Sequence, residues 1–143
     1  MTAVLAFGNH AKVARVRVPE EATAATADTW SLLEAEEAIT VTKAVWVPDA
    51  AVTGAATNNF ALGVVNEGLV GTGTTAVTTV KTYASGTDST AQVPEDLTLS
   101  TTAANLDVAE GEVLSLARTV NGTGLASPSG LVEIHYVNNS IDD

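Results

Sequence analysis

Cysteine is absent from these 143 residues, which excludes disulfides and thiolate metal sites and leaves either redox compartment open. Aromatic residues make up only 4%. The large rings Trp30, Trp46, Phe60, Tyr83 and Tyr136 are therefore expected to anchor separate pieces of core or interface. No apolar run approaches the roughly 20 residues that cross a bilayer. The start, MTAVLAFGNHAKVARV, lacks the basic leading region of a secretion signal, and Gly8-Asn9-His10 breaks its apolar run. The expectation is a soluble product made in a cytoplasm, with no membrane partner. Basic residues are also few, 6 against 17 acids, for a net charge of −11. Phosphate binding needs clustered Lys and Arg, so the acidic body argues against a nucleic-acid partner.

What is present suits one domain with a core that needs no staples. The apolar content is mostly Ala, Val and Leu, with Thr as the main polar partner, and β-branched residues favour strands. Charge is unevenly placed. Lys12, Arg15 and Arg17 precede Pro19 with no acid among them, whereas the rest carries Lys43, Lys81 and Arg118 against every acid in the chain. The basic leader suits either a solvated strand face or an acidic protein surface.

Alternation predicts a half-buried strand over 12–18, with Ala14, Val16 and Val18 on one face, Val13, Arg15 and Arg17 on the other, and Pro19 ending it. Residues 28–37 are ambiguous. Asp28 can cap a short helix through Trp30, Leu33 and Glu37, or residues 28–34 can form a strand that turns at Glu36-Glu37. Propensity leans to the helix. The stretch 39–47 reads as a strand with Val41, Val45 and Val47 together and Trp46 opposite. Residues 58–66 place Phe60, Leu62 and Val64 on one face. A Gly-rich connection follows, then a strand over 74–83 with Val77 and Tyr83 on one face. Strands over 113–119 and 130–137 complete the set, the latter with Val132, Ile134 and Tyr136 opposite Leu131, Glu133 and His135. About eight short strands divided by Gly, Pro, Asn and Asp turns describe an all-β sandwich or barrel.

The candidate chemistry is thin. His10 and His135 have no second His or Cys nearby, where zinc needs three or four ligands. Asp107, Glu110 and Glu112 surround a glycine, but their spacing fits no EF-hand loop, and solvated turn acids are the simpler reading. Gly71-Thr72-Gly73-Thr74-Thr75 lacks the Lys of a P-loop and reads as a hairpin connection. Neighbouring acids such as Glu36-Glu37 and Glu95-Asp96 point to opposite faces on a strand, and no Ser, His and Asp set forms a triad motif. No catalytic residue, cofactor site or metal site is assigned, and no enzyme activity is expected. A glycan-binding module would need exposed rings beside polar loops, with Trp30 and Trp46 as its candidates.

The segments VWVPDAAVTGAATNNFALGVVNEG, GTGTT, LTLSTTAANLDVAEGEVLSLA and GTGLASPSGLVEIHYV resemble those of small β-sandwich head decoration (auxiliary capsid) proteins of tailed bacteriophages. The resemblance spans residues 11–137 and is a pattern of strands and turns. It implies a single antiparallel, jelly-roll-like sandwich with an extended N-terminal arm, and it favours a strand over 28–34. It also implies a location on the outer capsid surface, the major capsid protein as partner, and self-association as a homotrimer. The chain divides accordingly into a basic arm and first strand (1–18), a sandwich (19–137) and an acidic tail (138–143). Within the arm, Val4, Leu5, Phe7, Lys12, Arg15 and Arg17 are the candidate interface residues. A fibre or tail module that recognises a host glycan is the alternative.

Overall fold

The computed structural model describes residues 11–139, which form two antiparallel sheets packed face to face. The strands are β1 (Ala11–Val18), β2 (Asp28–Glu34), β3 (Ile39–Pro48), β4 (Asn59–Gly68), β5 (Thr75–Ala76) and β6 (Lys81–Thr82). They continue with β7 (Glu95–Leu97), β8 (Asp107–Val108), β9 (Val113–Asn121) and β10 (Gly130–Asn138). One sheet runs β1-β10-β3-β7, with β8 also on β3; the other runs β2-β9-β4-β5, with β6 also on β4. Because β5 and β6 share one flank of β4, and β7 and β8 one flank of β3, the sandwich has eight strand positions. Pairing is nested: β1 with β10, β2 with β9, β3 with β7 and β8, β4 with β5 and β6. A chain folded back at its middle and then rolled up gives this nesting, the jelly roll. The all-β sandwich expected from the sequence is the fold.

Residues 28–34 form a strand, because pairing with β9 lets Trp30 and Leu32 turn inward, and this packing outweighs helix propensity. A register shift between Ser31 and Leu33 bulges β2. β1 alternates as expected, with Val18 buried and Arg15 and Arg17 exposed. The face assignment for β3 is corrected. His135 pairs with Lys43 and Tyr136 with Val41, which leaves Thr42 as an extra residue. This bulge resets the alternation, so Ile39 and Val41 join Ala44 and Trp46 in the core rather than facing away from the indole. A single strand over 74–83 is also corrected. The amides of Val77 and Thr78 both reach Val64 O, and Val64 N donates to Thr78 Oγ1 at 2.9 Å. The side chain thus takes a place in the ladder and splits the segment into β5 and β6, while Val77 and Tyr83 stay on the buried face.

The core between the sheets holds Trp46, Phe60, Leu62, Val64, Tyr83, Leu114, Leu116 and Ile134, each at most 1% exposed. Burying an aliphatic or Phe side chain of this size contributes about 1.5–3 kcal/mol. Gly130 lies flat on Trp46, since a Cβ there would sit 2.5 Å from the indole ring. The two flanks differ. On one, Thr79 N donates to Thr98 O and Ser100 N to Val77 O, both at 2.8 Å, so backbone bonds join the sheets. On the other flank lie the edges of β1 and β2.

Candidate interface at one end of the sandwich

The turn at 35–38, the β4–β5 connection, the turn at 109–112, the start of β1 and the end of β10 meet at one end. Ala35 N donates to Glu112 O (2.9 Å), Gly111 N to Ala35 O (2.7 Å) and Asn139 N to Ala38 O (3.0 Å). Asn66 Nδ2 donates to Glu112 Oε1 at 3.0 Å, and Ala109 N donates to the same oxygen at 2.8 Å. The Gly-rich segment is the expected hairpin connection: Gly73 N returns to Glu67 O (2.8 Å), and Asn66 pairs with Thr75. Its tip projects Leu69 and Val70, which are 71% and 81% exposed. The Leu69 side chain lies close over Gly111. Two large apolar side chains held adjacent on a braced turn form a patch suited to protein contact.

Beside this patch is a pocket of about 140 Å³ lined by Leu33, Ala35, Ile39 and Tyr136, with Lys12, Glu34, Glu36, Glu37 and Asn138 around them. Its charged lining is mostly acidic, three Glu against Lys12. Lys12 reaches it because residues of its parity on β1 turn toward the sandwich interior. Arg15 and Arg17 leave from the outer face: Arg15 Nε meets Glu133 Oε2 at 3.0 Å, and Arg17 pairs with Asp49. Hydrogen bonds from Arg15 and then His135 hold Glu133 below the usual carboxylate range. Asp49 is lowered by Ser129, whose Oγ donates at 2.8 Å, and then by Arg17. The three cations thus share one strand but serve two faces. Val4, Leu5 and Phe7 lie outside the described residues.

Other sequence candidates have structural positions. Asp107 accepts from Thr40 Oγ1 at 2.8 Å and Glu112 braces its turn, so both acids serve local structure. His135 faces Glu133 at 3.2 Å. Among the described residues, no three His, Cys, Asp or Glu side chains converge to hold a metal ion. Trp46 is 1% exposed beneath Gly130 and out of reach of a glycan, and Trp30 is half-buried against the core.

Arg118 was expected only as one of the few cations. It is 1% exposed, on the inward face of β9 with Leu114 and Leu116. Its guanidinium donates to Thr26 O (3.0 Å), Ala24 O (2.8 Å) and Leu125 O (2.8 Å), and lies 4.7 Å from the Phe60 ring centroid. Burial pulls its pKa down, against the opposing charges of Glu21 and Asp28. Arg118 thereby pins the β1–β2 and β9–β10 loops at the end opposite the apolar patch. Its shared parity with Leu114 and Leu116 was the available signal. For Leu69 and Val70 the signal was two bulky residues between turn glycines.

No family model matches this sequence, and no curated protein matches it. Among solved structures, it is similar to a chain of the cyanophage Pam1 capsid asymmetric unit, at 21% identity and a TM-score of 0.47. That match covers 92% of this chain and 86% of the other. It is also similar to a chain in the structure of the infectious bursal disease virus Gx strain, at 10% identity and a TM-score of 0.47. There 94% of this chain is covered, but it spans only 34% of the other chain's length. Likeness at this level assigns no role to the chain.

Proposed function

We propose that this chain is a non-enzymatic structural protein of a virus particle. It decorates the outside of the major capsid shell and stabilises it by bridging neighbouring capsomers. The observation that carries this reading is the exposed Leu69–Val70 tip, fixed on a braced turn at the end where β1 begins. Water-facing apolar area of this kind is stabilised by covering it with a partner surface. The sequence resemblance to phage decoration proteins supplies the partner, the major capsid protein, and the expectation of homotrimers.

Residues 1–18, whose strand β1 is itself part of the sandwich, are the part that grips the shell or a neighbouring copy; residues 19–137 complete the body, and the tail 138–143 runs on from the end of β10. Val4, Leu5 and Phe7 are the candidate apolar residues of that gripping part. A protein bound at several capsomers gains avidity from modest contacts, and it stabilises the assembled state by binding it preferentially. Neither effect needs a reactive centre.

The test is a cryo-EM map of the particle. The reading expects many copies on the outer face, with the 67–73 turn toward the shell. Density confined to the tail, or a few copies enclosing a small-molecule ligand, would contradict it.

A further inference from the structure

The four sheet edges of this sandwich are not equivalent. The β5/β6 edge is broken at Val77–Val80, the β7/β8 edge is broken between Leu97 and Asp107, and β2 carries a bulge. Fragmentation and bulging shorten the run that an edge can offer another strand, so the β7/β8 side offers only Glu95–Leu97 and Asp107–Val108. β1 has neither. It pairs with β10 over eight consecutive residues without a shift, and among the described residues its other flank has no strand partner. It also carries half of the chain's six Lys and Arg residues.

The far edge of the same sheet is acidic. The register runs Arg15–Glu133–Val45–Asp96 across β1, β10, β3 and β7, and Ala11–Val137–Thr40–Asp107 across β1, β10, β3 and β8. Arg15 therefore sits at the level of Asp96, and Lys12 lies one residue from the level of Asp107. Each strand in these rows is antiparallel to the next, so β7 runs opposite to β1. A second copy in the same orientation, set beside β7, would present its β1 antiparallel to β7, with Arg15 beside Asp96. Asp96 and Arg15 are 74% and 61% exposed but already paired within the chain, Asp96 with Lys43 at 3.8 Å and Arg15 with Glu133 at 3.0 Å, so each would share its partner to meet across the contact.

We propose that copies of this chain associate head to tail, the basic β1 edge of one docking on the acidic β7 segment Glu95–Leu97 of the next, short of the Thr98 and Ser100 backbone bonds that join its two sheets. Pairing of β1 with β1 is disfavoured, because Arg15 and Arg17 of both copies would crowd one face. A head-to-tail contact has two different surfaces, and it closes into a ring only if its rotation returns to the start. The proposal rests on the reading of the chain as a self-associating coat protein and names the surface that reading leaves open.

The absence of native cysteine makes disulfide trapping selective. Chains carrying Arg15→Cys and chains carrying Asp96→Cys are prepared separately, checked for unchanged melting when reduced, and oxidised alone and mixed. The expected result is a cross-linked dimer in the mixture, at least about tenfold more abundant than in either chain alone, and fading as salt screens the edges. An Arg15→Cys homodimer would replace this geometry with β1–β1 pairing and overturn the proposal. Sedimentation of the unmodified chain is the second measurement, independent of how the variants fold. A monomer at low salt across the accessible concentrations overturns the proposal. A monomer that still coats purified shells would overturn this inference while leaving the coat role intact. Cross-linked copies that ignore shells would do the reverse.

Discussion

The indole Nε1 of Trp46 donates to Tyr83 Oη at 3.1 Å, a hydrogen bond that ties β3 in one sheet to the residue following β6 in the other. The connection continues outward. Tyr83 Oη and Ser89 Oγ are 2.7 Å apart, and Ser89 Oγ donates to Glu95 Oε1. Lys81 Nζ closes the series 3.5 Å from Glu95 Oε2 and 5.2 Å from the Tyr83 ring centroid. Trp46 and Tyr83 are almost fully buried, so each polar atom depends on its neighbour.

Tyr83→Phe preserves the ring packing on Phe60, whose centroid lies 4.7 Å away, but leaves the indole N–H without its acceptor. The expected cost is about 1–3 kcal/mol, or a melting temperature lower by roughly 3–10 °C. Urea unfolding at constant m-value checks it. An unchanged midpoint would mean that the bond contributes nothing net.

Arg118→Leu removes donors from three carbonyls on two loops. Buried carbonyls left unpaired cost about 1–3 kcal/mol each, so a loss of about 3 kcal/mol or more is expected. Hydrogen exchange should localise the damage to the loops on either side of Ala24 and Leu125. A destabilisation spread evenly over both sheets would argue against the pinning role.

Gly130→Ala places a methyl against the Trp46 ring and Val47 O, each 2.5 Å from the added carbon. Overpacking of this kind costs about 1–3 kcal/mol. Near-ultraviolet circular dichroism should show a changed Trp46 environment as well as a lower midpoint. A wild-type spectrum with wild-type stability would show that the two strands separate freely there.

Stability should fall as solution is acidified through the carboxylate range. The pKa values of Glu133 and Asp49 are lowered in the folded state, so their contribution is present above the unfolded carboxylate value and is lost as pH drops through the folded one. Asp28 behaves oppositely. Its hydrogen bond with Glu21 raises it, so protonating Asp28 relieves repulsion and stabilises the fold as pH falls. Glu133→Gln with Asp49→Asn should flatten the acid slope of the unfolding midpoint, and Asp28→Asn should steepen it. Identical slopes in all three chains would contradict these assignments.

Much of the architecture could be read from alternation. Phe60, Leu62 and Val64 face the core as their spacing required, as do Val132 and Ile134. Alternation failed where the backbone broke its own period. The extra residue at Thr42 and the Thr78 hydroxyl in the ladder of β4 are events of pairing, and a single strand's sequence does not contain its partner's register. Residues 28–34 form a strand because β9 offers a neighbour, which helix propensity cannot anticipate. The proposed interface was legible as the basic leader and as the apolar Val4, Leu5 and Phe7, which lie outside the described residues. Lys12, Arg15 and Arg17 were visible in the sequence, whereas Leu69 and Val70 acquired meaning once the turn at 109–112 was seen beneath them.

The most direct test is equilibrium binding to shells assembled from the cognate major capsid protein, comparing the unmodified chain with Leu69→Ser/Val70→Ser. Both side chains are solvent-exposed, so melting should hardly change. Shell affinity should nevertheless fall by about tenfold or more, as expected when the apolar centre of a contact is removed. Deletion of residues 1–10 should add a further loss. Equal binding by all three chains would place the contact elsewhere and contradict the account.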